Sequence, residues 1–426
     1  MIRIYPDGEL SDSELLYRNE PKFDVAGVVA DILADVRENG DRAVLKYTEK
    51  FDGAKLSTMR VSDKEIAEAM AETEPEFLDT LRLAERNIRE YHEKQLRTSF
   101  FFTRPGGVVM GQKVLPIARA GLYVPGGTAP YPSTVMMDAV PAKIAGCPEI
   151  IMCTPCGKDG KVNAAILAAA QIAGVTTVYK VGGAQAIAAM AFGTETIPRV
   201  DKIVGPGNAF VAEAKRQVYG KVAIDTIAGP SEVLVLADGK SDPRRVAADM
   251  LAQAEHDVLA CAVLVTDSEA LAEAVQREIE VQLQTLARQE IARASIEGNG
   301  KIIVTPNLDV AVELANALAP EHLELCVDRP FDWLDRIRNA GSVFLGRSCP
   351  EAVGDYLAGA NHTLPTSGTA RFSSPLSVDD FVKKSQFLYY TPEALAKAAP
   401  DIARFARAER LEAHARSALI RTQEPD

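Results

Sequence analysis

Histidine is scarce in this chain of 426 residues, which has five, and cysteine nearly so, with six. The thiols of Cys147, Cys153, Cys156, Cys261, Cys326 and Cys349 are scattered along the chain. That spacing excludes the disulfide framework of a small secreted domain and fits a reducing compartment. No Lys/Arg cluster occurs, and 47 basic residues against 59 acidic ones leave a net charge of −12. A phosphate backbone needs a concentrated basic face, so nucleic acid is not an expected partner. No apolar run reaches the roughly 18 residues of a membrane span, and Met1-Ile-Arg-Ile-Tyr-Pro-Asp7 has no apolar core of a secretion signal. A cytoplasmic protein without a membrane partner is therefore expected. Heptads, low-complexity segments and a complete GxGxxG fingerprint are also lacking.

What is present is an ordinary globular composition, 47% apolar, long enough for about three packing units at roughly 150 residues each. The first hundred residues are charged and helical in pattern, over 25–38, a run from Asp41, and 62–95, where Ser62-x-x-Glu65 forms a capping box. From Gly107 the pattern turns to strands, 108–115 and 118–124, ending in Pro125-Gly126-Gly127, and a domain boundary is placed near residue 122. Strands at 149–153, 176–181 and 200–204 then alternate with helices at 162–173, 184–192 and 209–218. A second series has strands at 232–237, 260–266, 301–304, 323–327 and 342–345, with helices at 244–256, 269–286 and 310–318. Such alternation predicts two parallel sheets covered by helices. Beyond Ser377 only helices are expected, the last over 392–419 with a break at Pro400.

Parallel sheets bind ligands at the carboxyl ends of their strands, which selects three glycine loops: Tyr123-Val-Pro-Gly-Gly127, Val181-Gly-Gly-Ala-Gln185 and Val204-Gly-Pro-Gly-Asn208. Plain strand-to-helix turns would also use glycine there. Gln253 and His256 are three apart, on one face of a helix, which suits either a shared metal or a histidine capping the helix end. Glu321 and His322 open a strand, where neighbours alternate in direction; both serve one site only on irregular backbone, and then an imidazole beside a carboxylate can move protons and activate water. Asp355 and His362 add an acid and an imidazole, His362 reading as a structural hydrogen-bonder. Glu409 and His414 are five apart, about 140° around an unbroken helix. His92 reads as a solvated residue on a charged helix, and Cys153-Thr-Pro-Cys156 as a strand end running into a turn.

Taken together, Gly121-Leu-Tyr-Val-Pro-Gly-Gly127, Val181-Gly-Gly-Ala-Gln-Ala-Ile-Ala-Ala189, Val204-Gly-Pro-Gly-Asn-Ala-Phe210, Ala228-Gly-Pro-Ser-Glu-Val-Leu-Val235, Gln253-Ala-Glu-His256, Pro320-Glu-His-Leu323 and Gly341-Ser-Val-Phe-Leu-Gly346 resemble the histidinol dehydrogenase family over nearly the whole chain. The resemblance implies oxidation of L-histidinol to L-histidine through the aldehyde, with two NAD and one zinc per subunit. It implies two incomplete Rossmann-like α/β domains with parallel-rich sheets, plus small N-terminal and helical C-terminal segments that serve dimerisation. The implied division is 1–20, an α/β domain from 21–122 and 232–376, an NAD-binding α/β domain at 123–231, and a tail at 377–426 reaching the partner subunit. Zinc would be held by Gln253, His256, Asp355 and, from the partner of a homodimer with shared active sites, His414. His322 would be the base and Glu321 the activator of water. Ser231 and Glu409 would contact histidinol, as would Gln253, His256, His322, Asp355 and His414, while Tyr123, Gln185 and Asn208 would hold NAD. An alternative route for the aldehyde step, a cysteine thiohemiacetal, would use Cys349.

Overall fold

The computed structural model describes residues 1–15, 25–126, 130–227 and 229–423. Gly127 and Ala228, from two of the motifs above, and the expected boundary at residue 20 lie outside the described residues. The chain divides into one compact unit of Met1–Gln95 with Ala118–Phe381, and another of Leu96–Ile117 with Val382–Asp426.

The first unit holds two parallel sheets, the α/β class expected. In the larger, six strands run in the order Arg3–Pro6, Lys301–Val304, Cys261–Thr266, Glu232–Ala237, His322–Cys326 and Ser342–Leu345, every pairing parallel. Its central strands Glu232–Ala237, Cys261–Thr266 and His322–Cys326 are buried at every residue. Glu232–Ala237 and Cys261–Thr266 accordingly read as near-continuous apolar runs, whereas His322–Cys326 interleaves His322 and Glu324 with leucine. Apolar clusters lie on both faces, one built on Val246, Met250, Val275 and Ile279, the other on Val312, Leu318, Leu323 and Leu325.

The smaller sheet orders Thr177–Lys180, Glu149–Thr154, Arg119–Tyr123, Lys202–Val204 and Ala223–Ile224, again parallel. Its helices include Pro132–Ala145, which the sequence reading passed over. Nine of its residues from Thr134 to Ala142 are buried without a break, so it has no amphipathic period to detect. The capping box at Ser62 and Glu65 forms as expected. The 62–95 run, however, is two helices, Asp63–Glu72 and Pro75–Glu93, divided where Thr73 turns extended before Pro75.

The second unit corrects the expectation of a purely helical tail. Val382–Tyr389 is a strand, paired antiparallel with Val108–Pro116, which pairs in turn with Phe100–Arg104. The first and last of these have most residues exposed, so neither the apolar run nor the strict alternation used to find strands was there to read. Helix Pro392–Ala408 continues through Pro400. The break falls at Arg410, whose φ of 62° ends one helix before Glu412–Leu419 begins.

Candidate active site

Glu321 and His322 sit at the amino edge of the larger sheet. Helix Leu308–Leu318 ends on Ala319 in the left-handed region, with φ 47°, and the chain turns through Pro320 into the strand. Only His322 belongs to the ladder, so the side-chain alternation of a strand does not separate it from Glu321. Both are nearly buried and both fasten to Glu232 of the neighbouring strand. Glu321 Oε2 accepts the Glu232 N–H at 2.9 Å, and His322 Nδ1 lies 3.0 Å from the Glu232 carbonyl oxygen.

A carbonyl can only accept, so Nδ1 carries a proton and, in the neutral ring, Nε2 carries the lone pair. Nε2 is buried with no hydrogen-bond partner. It points at Asp355 Oδ1, 3.7 Å away, longer than a hydrogen bond. Burial works against charge on His322, but the carboxylates of Glu351, Glu321 and Asp355 outweigh it and hold the imidazole well above its ordinary pKa. Burial pushes the Glu321 carboxyl up to about 8.

A short helix, Glu351–Tyr356, supplies two acids one turn apart and therefore on one face. Glu351 Oε1 is 3.9 Å from His322 Nδ1. Burial raises Asp355, yet His322 outweighs it and holds that carboxyl below its ordinary value. The helix packs closely because residue 354 is glycine: a Cβ there would lie 2.5 Å from the Phe344 ring. Phe344 in turn stacks on His322, with ring centroids 6.1 Å apart.

Gln253 and His256 arrive differently from the expected shared helix face. Helix Pro243–Ala254 ends before His256, which sits in the following turn with its N–H on the Gln253 carbonyl. Gln253 is fully buried, and its amide nitrogen, turned toward them, donates to Glu351 Oε1 and Glu232 O at 3.2 Å each. Ligand atoms of His256, Glu351 and Asp355 lie within 4.8 Å of one another. One nitrogen and two carboxylates at that separation suit a zinc ion with bonds of roughly 2 Å after small side-chain movement. The donor set thus fits a metal. Glu351 is a residue that sequence reasoning missed, although its four-residue spacing from Asp355 was visible.

His362 behaves as expected of a structural residue, with Nδ1 3.1 Å from Asp355 O and Nε2 3.3 Å from Thr134 Oγ1. His92 does not. It is completely buried, its Nδ1 2.8 Å from Ile88 O and its Nε2 3.4 Å from the Asn361 amide nitrogen. Leu78, Leu81, Ala84, Ile88 and His92 form the buried stripe of helix Pro75–Glu93, and the charged residues around His92 hid that spacing.

The expected cofactor residues gather at the carboxyl edge of the smaller sheet. Tyr123 ends a strand, buried, its hydroxyl accepting the Gly183 N–H at 3.1 Å, and burial pushes its phenol up to about 12. Gln185, on helix Gly183–Phe192, is 1% exposed, and neither atom of its amide has a partner. Asn208 is exposed and caps helix Ala209–Val218 through the Phe210 and Val211 N–H groups. Ser231 is half-buried just ahead of strand Glu232–Ala237.

The residues expected to bind the cofactor thus lie at the carboxyl edge of the smaller sheet, whereas Glu321 and His322 lie at the amino edge of the larger one. At the larger sheet's carboxyl edge, Arg347 instead clamps Asp238 through both carboxylate oxygens and Asp328 at 2.8 Å. Of the cysteines, Cys153 and Cys156 are buried at a strand end and the turn after it, and Cys349 is half-buried in the turn before Glu351. In the second unit, Glu409 and His414 are both exposed. The break at Arg410 lies between them, so the 140° separation of a continuous helix does not apply.

A family model described as histidinol dehydrogenase matches residues 17–422. A relative of that name from Clostridium acetobutylicum is 51% identical over 427 positions, covering 99% of each chain. Another from Geobacillus kaustophilus is 55% identical over 395 positions, 93% of each. The solved structure of histidinol dehydrogenase from Elizabethkingia anophelis superposes with a TM-score of 0.93 at 40% identity, over 99% of this chain and 98% of that one.

Proposed function

The chain belongs to the histidinol dehydrogenase family of NAD-dependent oxidoreductases in histidine biosynthesis, and from that premise we propose how its residues divide the work. Two oxidations occur at one site, alcohol to aldehyde and hydrated aldehyde to acid, and NAD accepts one hydride in each. Zinc, when bound, supplies a Lewis-acid anchor for the histidinol nitrogens and so fixes the substrate's orientation. His256, Asp355 and Gln253 hold it, with Glu351 adjoining.

In the neutral ring, His322 Nε2 takes the hydroxyl proton in the first oxidation; a cation held by the His256–Glu351–Asp355 cluster would offset the carboxylates that otherwise keep the ring protonated. Its Nδ1–H, held by the Glu232 carbonyl, keeps the lone pair on the correct nitrogen throughout. In the second oxidation Glu321 takes a proton from water as the oxygen adds to the aldehyde carbon. The anchored, half-satisfied imidazole beside the His256–Glu351–Asp355 cluster is the observation that carries this reading. Ser231 lies beside Glu232 and contacts histidinol. Tyr123, Gln185 and Asn208 bind NAD, the unpaired Gln185 amide being the strongest support. The cysteine route has no comparable support, so Cys349→Ser retains turnover.

The second unit provides Glu409 and His414 to a partner's site in a homodimer. Phe101, Leu388, Tyr389 and Phe405 in that unit are each more than half exposed, an apolar surface that association would cover. Six free thiols fit a cytoplasmic setting, and among the described residues no helix is long and apolar enough to cross a membrane. Histidinol with excess NAD tests the whole reading: two NADH form per histidinol consumed, and a yield of one contradicts it.

A further inference from the structure

Strand Lys202–Val204 ends just before Gly205, and the next helix begins at Ala209. Gly205 is buried, yet its main-chain groups belong to neither ladder and need partners elsewhere. A buried ion pair provides both. Lys215, 1% exposed, donates through Nζ to Gly205 O at 3.0 Å, and Asp225 Oδ2 accepts the Gly205 N–H at 2.7 Å. Lys215 and Asp225 are themselves ion-paired, their side chains 2% and 4% exposed.

The space around Gly205 is closed as well. Its φ is 112°, and a Cβ would lie 2.1 Å from Tyr123 O and 3.0 Å from Asp138 Oδ2. Asp138 is tied on its other side to Thr363, whose hydroxyl donates at 2.9 Å. At the loop's far end, Asn208 uses its amide oxygen to cap the helix. The loop is thus fixed at both ends, and the exposed Asn208 amide nitrogen is what it has left to offer.

We propose that the buried Lys215–Asp225 pair is the positioning device of the cofactor loop, holding both main-chain polar groups of Gly205 so that Asn208 meets NAD in a preset conformation. This rests on the reading that Asn208 contacts NAD. A pair of charges this deeply buried gives little net stability compared with apolar residues of similar size. Its gain is geometric: a loop ordered before binding loses less freedom when NAD arrives.

Lys215→Met/Asp225→Asn removes both charges together and leaves no unpaired ion. In the zinc-loaded full-length enzyme, equilibrium NAD binding weakens roughly tenfold, the scale of a lost charged hydrogen bond with its preorganisation, while the KM for histidinol stays within about twofold. Asn208→Ala, measured alongside, also weakens NAD binding. Unchanged NAD affinity in the double variant while Asn208→Ala weakens it overturns the positioning role and leaves the cofactor reading intact. Unchanged affinity in both overturns the cofactor reading and this proposal with it. Parallel loss of NAD affinity and histidinol KM marks a merely structural pair and also overturns it. Should the double variant not fold, amide exchange in the wild-type enzyme decides: the Gly205 N–H is strongly protected without NAD, and exchange at the rate of an exposed loop contradicts the proposal.

Discussion

His322 Nδ1 lies 3.0 Å from the main-chain oxygen of Glu232, the first residue of the adjacent parallel strand. A strand of the sheet therefore sets the tautomer of the imidazole proposed as the base. His322→Asn removes the base without removing a metal ligand. The alcohol step slows by roughly 10²–10⁴, the usual contribution of a positioned base, while bound zinc stays at the wild-type level. Loss of zinc in this variant, measured by atomic absorption, would transfer His322 to the metal shell.

Glu321 is held by the Glu232 N–H at 2.9 Å, which gives it a fixed direction, and the proposed role confines it to the second oxidation. Only the aldehyde step consumes water. Glu321→Gln, nearly isosteric, slows oxidation of supplied histidinaldehyde much more than oxidation of histidinol to the aldehyde. Stopped-flow traces that show equal slowing of both NADH phases would refute the assignment.

Asp138 gives a pH signature separate from catalysis. Burial first, then the nearby Asp225, pushes its carboxyl from 3.8 up to about 8. Between those values the folded chain keeps a proton that the unfolded chain releases. Its contribution to stability is full below about pH 4 and is lost as the pH rises through about 8. Asp138→Asn retains an oxygen for Thr363 and needs no proton. Relative to the variant, wild-type unfolding free energy falls by up to ~1.4 kcal/mol per pH unit across that window. Parallel denaturation curves at pH 5 and pH 8 would rule out the raised carboxyl.

A site completed by a second copy can be rebuilt from two broken ones. His256→Ala disables the site in its own chain, and His414→Ala disables the partner's. Mixed and refolded together, they yield heterodimers with one intact site, and activity returns to about a quarter of wild type if subunits pair at random. Mixtures as inactive as either parent would place all ligands within a single chain.

Most of the alternating strands and helices of both parallel sheets were legible because they carry a clear period or an apolar run, but the short edge strands Arg3–Pro6 and Ala223–Ile224 and the helix Gln289–Gly298 were not. Strands Phe100–Arg104 and Val382–Tyr389 were not, since most of their side chains lie on the surface. Helix Pro132–Ala145 escaped for the opposite reason, being buried along most of its length. Within the site, Glu321 and His322 looked opposed because strand alternation was applied one residue too early. Glu351 was overlooked although it stands one helical turn from Asp355. The ion pair of Lys215 and Asp225 was beyond sequence reasoning altogether, because nothing local marks two residues ten apart as sharing one glycine.

Anomalous diffraction at the zinc edge, from crystals soaked with histidinol, bears most directly on the central claim that one metal positions the substrate beside His322. The account predicts one strong peak per chain within bonding distance of His256 and Asp355, with the substrate hydroxyl next to His322 Nε2. A peak bound elsewhere, or histidinol seated away from that imidazole, would contradict it.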